Sequence, residues 1–426
     1  MTTQAASKKP FGMLFDRVLG QPSAEDKAVG DSRKPLQDLA QLAIMVEMTT
    51  IPPYLTALYS ISDPNTKAYQ LLRSVMMEEM FHINQAANLL VAIGGRPKMT
   101  GASAPTYPCY LPHANTSTTP FIGLCRASLE VFNDTFTAIE TPAPPHAPAR
   151  GDNYSYIAQL YDALEDGLEA YKGAQPLFEQ NPDACQRTDI YLGKFGGTPI
   201  QVTDLASAKL GVQQIVQQGE GSVPEAQSMI PIQPWATYNT YGERTDGTYG
   251  PIIGSPYEMS HFKKFRTVSL DKDSFPDSYP IVSNPKRSDF TNPVAIELVE
   301  LFDIAYSLML DAMEHSFASR AGNANDTFFT LALPLMHQAM PNLARQLMNT
   351  PLHADTDSSV GPNGAPTYLY QPGSNLQDFA KRLQKALGVV GQEVADPAER
   401  HELQHALSNV SANVKQLIAA AQTHHA

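Results

Sequence analysis

Cysteine is scarce in this sequence, with three residues in a chain of 426. Cys109, Cys125 and Cys185 are too few and too widely spaced for a disulfide framework or for a metal site built from thiolates. We therefore expect reduced thiols in structural positions.

Long apolar runs are also missing. No stretch of about 18 uncharged apolar residues is available to span a bilayer, and the N-terminal MTTQAASKKPFGMLF has no apolar core typical of a signal peptide. We expect a cytoplasmic protein that does not enter a membrane.

Basic residues are outnumbered, since 30 Lys and Arg against 43 Asp and Glu give a formal net charge of −13. Such a charge repels phosphate backbones, and no basic stripe offsets it. Nucleic acid is therefore excluded as an expected partner.

Helical periodicity is what the sequence does contain. Apolar residues recur at helical spacing between proline- and glycine-rich connections, which predicts helices over 35–60, 66–95, 121–140, 154–172, 204–219, 292–319, 325–349, 376–390 and 396–422. The region 221–290 holds many prolines, glycines and tyrosines and the only tryptophan, Trp235, so it favours irregular structure or short strands. The fold class predicted is mainly α, a four-helix bundle with extra C-terminal helices and long irregular insertions.

A chain of this length exceeds one ordinary core, so we expect a main domain with large elaborations. We assign 1–34 to an N-terminal extension, 35–350 to the bundle with its insertions, and 351–426 to a linker and a C-terminal helical segment.

The string Met-Glu-Glu-Met-Phe-His, residues 77–82, carries the strongest chemical signal. Glu79 and His82 are three residues apart, so both project from one helical face, which continues through apolar Leu72, Met76 and Leu89. A carboxylate buried among apolar residues costs several kcal/mol unless something compensates its charge, and a metal ion does so. The simpler reading of a lone Glu-x-x-His is an ordinary, partly exposed helix.

Two neighbouring helices favour the hypothesis that Glu79 and His82 bind a metal ion. Glu47 lies on the apolar stripe of the first helix, and Glu140 lies on the stripe of the third, directly before a proline-rich stop. Either acid alone would be read as a solvated residue. Three helices that each offer an inward acid, one as Glu-x-x-His, form half of a dinuclear carboxylate site in a four-helix bundle.

The pattern then requires a further Glu and His. We predict His261 first and Glu220 second, with Glu258 as the alternative acid because its spacing to His261 repeats that of Glu79 and His82. The predicted metal ligands are thus Glu47, Glu79, His82, Glu140, Glu220 and His261. Four carboxylates against two divalent ions would form a neutral site.

The sequence resembles the ferritin-like domain of the iminophenyl-pyruvate dimer synthase type, a family of pigment biosynthesis. The resemblance covers about residues 35–350 and rests on the motifs at 42–54, 78–83, 88–97, 138–142, 218–221 and 260–265. The family's pigment enzymes oxidatively couple imines of aromatic keto acids, so the resemblance implies a ferritin-like fold and oxidase-type chemistry. This chain is far shorter than those enzymes.

The expected function is a non-haem di-iron, O2-dependent oxidase or oxygenase acting on a small organic substrate in a biosynthetic pathway. Its expected cofactors are two iron ions, Fe2+/Fe3+, with manganese as the alternative metal. The partners are a small-molecule substrate and O2, and a homo-oligomer is left open. A non-catalytic ferritin-like iron-binding protein is the alternative.

A second metal motif competes, because His401-Glu402-Leu403-Gln404-His405 matches the His-Glu-x-x-His string of zinc peptidases. No Asp or Glu follows His405 to supply a third ligand, and the Gly-x-x-His continuation is missing. We therefore predict a solvated amphipathic helix at this position.

Overall fold

The computed structural model describes residues 32–190, 198–221, 259–318 and 326–423. Trp235 and Glu258 lie outside these residues. Within them the chain is helical, with isolated β-bridges and no strand, which confirms the predicted mainly α class.

The first two helices form the hairpin on which the rest is built. Helix α1 spans Lys34–Ser60 and helix α2 spans Lys67–Ala92. Their connection is short, and the Thr66 side chain accepts a hydrogen bond from the backbone N–H of Tyr69 to cap α2. The two helices pack closely along their length.

Helix α1 continues through the proline pair Pro52 and Pro53, which lack the backbone donors of a regular helix. The carbonyl of Thr49, which would bond to residue 53, instead accepts a 2.8 Å hydrogen bond from the Tyr107 hydroxyl. A loop tyrosine thereby stabilises the part of α1 that follows Glu47.

Two later helices close the bundle. Helix α4 spans Ile157–Ala170 and helix α5 spans Leu205–Gly219, where Asp204 caps the backbone N–H of Ser207 at 2.8 Å. Helix α4 packs on α1, α5 packs on α2, and α4 and α5 pack on each other. The four helices α1, α2, α5 and α4 therefore enclose a common core.

A shorter helical segment, α3, precedes α4 and comprises the π-helical Val131–Phe136 and the α-helical Thr137–Ile139. The helix predicted over 121–140 thus begins too early. Ile122 instead exchanges backbone hydrogen bonds of 2.7 and 2.9 Å with Cys109, and Asn284 binds the N–H of Leu124. Because these partners satisfy the backbone, the segment before residue 129 is not helical.

Helix α6 spans His261–Leu270, where irregular structure or strands had been predicted, so that part of the prediction is wrong. The Ser260 side chain caps it, and His261, Phe265 and Val268 are buried at helical spacing. The helical spacing of these buried residues was not recognised because the surrounding region is rich in glycine and proline. Phe265 packs against Tyr54 of α1 and Phe136 of α3, with ring centroids 5.0 and 5.3 Å apart.

The remaining helices pack mainly on one another, and one of them also packs on α1. Helix α7 spans Pro293–Ser316, and α8 comprises the π-helical Phe328–Ala332 and Leu335–Ala339 followed by the α-helical Met340–Met348. Helices α9, Leu376–Glu393, and α10, Pro397–Thr423, pair with each other, and α9 packs on α7. The division of the chain near residue 351 stays a prediction. Among the described residues, no helix combines the length and apolarity that crossing a bilayer requires.

Two helical glycines predict opposite effects of alanine. A Cβ at Gly211 of α5 would lie 2.5 Å from Nε2 of buried Gln85 on α2, whereas nothing lies within 4 Å at exposed Gly388 of α9. The Gln85 amide is held by hydrogen bonds to the backbone carbonyl and N–H of Ile200, at 3.3 and 2.8 Å, so it cannot turn away without losing them. Overpacking costs about 1–3 kcal/mol, so Gly211→Ala should lower the free energy of unfolding measured in urea. Gly388→Ala should raise it by about 0.5–1 kcal/mol. Equal effects of the two changes would contradict this packing of α5 on α2.

Candidate metal centre

The site begins on the facing sides of α1 and α2. Glu47, Glu79 and His82 are 3, 1 and 1% exposed. Nδ1 of His82 lies 3.5 Å from Oε2 of Glu47 and 3.9 Å from Oε2 of Glu79. The spacing of three residues on α2 therefore places both groups toward the acid of α1, as the sequence predicted.

Two further predicted residues arrive from the ends of short helices. His261 is the first residue of α6, and Glu140 follows the last turn of α3. Nδ1 of His261 lies 2.9 Å from Oε1 of Glu79 and 3.7 Å from Oε2 of Glu140. Ligand atoms of Glu79, His82 and His261 all lie within 4.8 Å of one another, a group that could hold a metal ion.

Both imidazole rings are oriented from outside the cluster. Nε2 of His261 lies 2.7 Å from Oε2 of Glu78, and Nε2 of His82 lies 3.1 Å from Oε1 of Gln218. Both acceptors lie on the Nε2 side, so a ring in its neutral, metal-binding form would carry its proton on Nε2 and turn the Nδ1 lone pair toward the carboxylates. Such outer hydrogen bonds are how proteins fix the tautomer of a metal-binding histidine.

One observation in particular indicates that these residues fit a divalent metal ion. Nδ1 of His261 is fully buried and has no hydrogen-bond partner, because its 2.9 Å approach to Glu79 is out of line for a hydrogen bond. Buried nitrogens are rarely left without a partner. An ion between Nδ1 and the carboxylates would satisfy the nitrogen and compensate the buried charge.

The protonation of the metal-free site follows from burial. Burial raises the pKa of Glu79 well above its usual range, and the nearby Glu47 and Glu140 add to the rise. Burial alone would lower the pKa of His261, but the carboxylates of Glu140, Glu78 and Glu79 outweigh it and raise that pKa well above 6.5. The metal-free site thus retains protons where a metal ion would bind.

Glu220 is placed differently from the other predicted ligands. Its two carboxylate oxygens accept hydrogen bonds from the backbone N–H groups of Ala143, at 3.0 Å, and Ala158, at 2.7 Å. Burial raises the pKa of Glu220 to about 8, and Glu140 contributes. Glu220 therefore joins the end of α5 to the start of α4 and to the segment after Glu140. Its role as a ligand stays a prediction.

An ion pair behind His261 was not predicted from the sequence. Glu78 and Lys264 are both fully buried, and Nζ of Lys264 lies 2.6 Å from Oε1 of Glu78. The signal was present, since Glu78 adjoins Glu79 and Lys264 lies one helical turn after His261. Lys264 neutralises Glu78, so that Glu78 can orient the imidazole without adding net charge to the cluster.

Two buried tyrosines were missed as well. The Tyr161 hydroxyl on α4 lies 2.5 Å from Oε1 of Glu47, and the Tyr54 hydroxyl donates to Oε1 of Glu140 at 2.7 Å. Burial and the adjacent carboxylates raise the pKa of both phenols well above 10. Both therefore stay protonated and act as donors that position the carboxylates.

The competing histidine motif lies elsewhere in the fold. His401 and His405 are exposed on α10, with ring centroids 6.4 Å apart. This placement agrees with the predicted solvated helix.

The raised pKa values of Glu79 and His261 predict that metal binding releases protons. Because both groups hold their protons above their ordinary pKa values, a metal ion has to displace them, and the apparent affinity for Fe(II) or Mn(II) should rise with pH. Calorimetry in buffers of different ionisation enthalpy would measure the protons released near pH 7. An affinity that does not change with pH would contradict this account of the metal-free site.

Comparison with known proteins agrees with this architecture. The family model described as Ferritin-like matches residues 40–270, a span that contains every predicted metal ligand. A search of curated proteins found no match. Among solved structures, the chain is similar to a ferritin-like protein from Caulobacter vibrioides, with 22% identity, a TM-score of 0.50, and coverage of 79% of this chain and 97% of that chain. The chain belongs to the ferritin-like family.

Proposed function

We propose that the chain is a non-haem di-iron oxidase or oxygenase that uses O2 to oxidise a small organic substrate. The observation that carries the proposal is the unpartnered Nδ1 of His261, which faces Glu79 and Glu140 in a fully buried cluster. The resemblance to the dimer synthase type supports a substrate derived from an amino acid, as an imine or a keto acid, in a biosynthetic pathway.

Glu47, Glu79, His82, Glu140 and His261 are the residues that would hold the ions. Bound iron would supply electron transfer to O2, which amino-acid side chains alone do not provide. The ligands are oxygen and nitrogen atoms, which suit Fe(II) and leave Mn(II) as a close competitor.

The remaining residues of the site position groups and exclude water. Glu78 and Gln218 hold the two imidazoles, while Tyr54 and Tyr161 hold carboxylates by donating hydrogen bonds. The buried rings of Tyr54, Phe136 and Phe265 pack on one another beside Glu140, to which the Tyr54 hydroxyl donates. A dry site strengthens these electrostatic interactions.

A non-catalytic ferritin-like iron-binding protein is the alternative. The same cluster would bind iron in both cases, so metal content alone does not separate them. Consumption of O2 that depends on both iron and an organic substrate would support the oxidase. Iron uptake without such turnover would support the alternative.

The first prediction here is the stoichiometry of the metal. With five residues clustered and Glu220 adjacent, the protein should bind about two iron ions per chain after anaerobic loading. Elemental analysis of the washed protein would measure this. Replacing exposed His401 and His405 together with alanine is the control and should leave the metal content unchanged. A ratio near zero, or a ratio that falls in the control, would contradict the proposed centre.

The second prediction concerns Glu79. Glu79→Gln keeps the side-chain volume but removes a ligand, so the iron content should fall to about one ion or fewer, and iron-dependent O2 consumption should be lost. The matched control is Glu130→Gln. Glu130 is an exposed acid directly before α3, so its replacement should change neither the iron content nor the O2 consumption.

The same variant should stabilise the metal-free protein, with a definite pH dependence. The folded protein raises the pKa of Glu79, whereas the unfolded chain ionises this residue near pH 4.5. The cost of folding with Glu79 therefore grows as the pH rises above about 4.5. The gain in unfolding free energy from Glu79→Gln should be larger at pH 7 than at pH 4. Unfolding of the variant at pH 7 would instead make Glu79 a structural partner and count against the proposal.

A further inference from the structure

A cavity lies on a different side of the α1–α2 hairpin from the metal centre. It has a volume of about 240 Å³ and is lined by α1, α2, α7 and α8. None of the predicted metal ligands lines it. We call it the methionine-lined cavity, after Met76, Met80, Met309, Met313, Met336 and Met340 among its walls.

The lining of the cavity is elongated. Its lining runs along α1 from Met48 to Tyr59 and along α2 from Tyr69 to Ile83. At a rise of 1.5 Å per residue the shorter of these spans is about 16 Å. A compact cavity of about 150 Å³ already holds benzene, so the elongation, rather than the volume, favours a single alkyl chain over a flat ring.

The composition of the walls suits such a chain. Eight of the protein's 15 methionines line the cavity. Methionine side chains are flexible and polarisable, and they adapt to the surface of a ligand better than branched side chains do. The wall that carries Met336 is π-helical over Leu335–Ala339, and π-helical turns inside helices are frequent at functional sites.

One end of the cavity carries the positive charge of an arginine. Arg73 of α2 and His337 of α8 line it together with Tyr69. His337 reaches the surface, but part of its ring is shielded from water. This partial burial, together with the positive charge of the Arg73 guanidinium, lowers the pKa of the imidazole. Arg345 adds a further positive charge, since it donates a 3.1 Å hydrogen bond to the Tyr69 hydroxyl and lies 5.9 Å from the centre of that ring. No Asp or Glu lines the cavity in the described part of the chain.

We propose that the methionine-lined cavity binds a medium-chain fatty acid. The alkyl chain lies between α1, α2, α7 and α8, and the carboxylate lies at the end formed by Arg73, His337 and Tyr69. Buried methylene groups supply the affinity, and the cationic end selects an anion. The site is separate from the metal centre and does not depend on the proposed oxidase activity.

Binding of decanoate to the full chain, measured by calorimetry below its micelle concentration, tests the proposal. We expect saturable binding of one molecule per chain. Decyltrimethylammonium, which has the same chain and the opposite charge, and 2-naphthoate, which has the same charge and a flat ring, should bind at least tenfold more weakly. Absence of saturable decanoate binding, or equal binding of either of the other two probes, would overturn it.

Two tryptophan variants locate the site. Met336→Trp places a larger ring in the cavity and should abolish decanoate binding. Gln338→Trp, at an exposed position of the same π-helical turn, should retain it. Thermal unfolding and circular dichroism establish that both variants are folded. Retention of decanoate binding in folded Met336→Trp would place the ligand elsewhere and refute the proposal.

A third variant tests the headgroup. Arg73→Gln should weaken decanoate binding by about tenfold or more, because a hydrogen bond to a charged group is lost. Binding of 1-decanol, which has no charge, should change little. A similar loss for both compounds would mean that Arg73 supports the cavity rather than the carboxylate, and the proposed orientation would be wrong.

Discussion

The burial of several carboxylates at one point is the constraint on which the rest of the structure depends. Glu47, Glu79 and Glu140 lie almost completely out of water, at 3, 1 and 3% exposure. Charges removed from water in this way destabilise a fold unless they are paired, protonated or bound to metal. Much of the surrounding architecture supplies one of these forms of compensation.

The compensation comes both from α6, outside the four-helix core, and from tyrosines within that core. His261 and Lys264 enter on α6, one turn apart, and each contacts Glu78. Tyr161 of α4 and Tyr54 of α1 donate to the other carboxylates. The short helices are held in turn by aromatic packing of Phe265 on Tyr54 and Phe136. The ligands are therefore positioned by packing and hydrogen bonds together.

The α1–α2 hairpin serves two separate faces. On α2, Glu79 and His82 face the metal cluster, while Tyr69, Arg73 and Met80 line the methionine-lined cavity. A helix presents different faces at different residue offsets, so neighbouring residues such as Glu79 and Met80 point to different sites. One rigid hairpin thus places a polar, charge-dense site beside a long apolar one.

The sequence by itself determined the mainly α class, most of the helices, and the acids and histidines that cluster. These features depend on local rules, since apolar periodicity and the i, i+3 spacing of Glu79 and His82 act within one helix. Glu47, Glu140 and His261 could be predicted because polar residues on apolar faces or within a repeated motif are conspicuous.

Only the tertiary structure decided which groups support the clustered acids and histidines. The pairing of Glu78 with Lys264 joins residues 186 positions apart, and that of Tyr161 with Glu47 joins residues 114 apart. The hydrogen bonds that Glu220 accepts could not be predicted from the sequence, because its backbone partners, Ala143 and Ala158, become neighbours only when α4 packs on α5. The start of α3 and the presence of α6 also depended on long-range backbone pairing and packing, which local propensity does not encode.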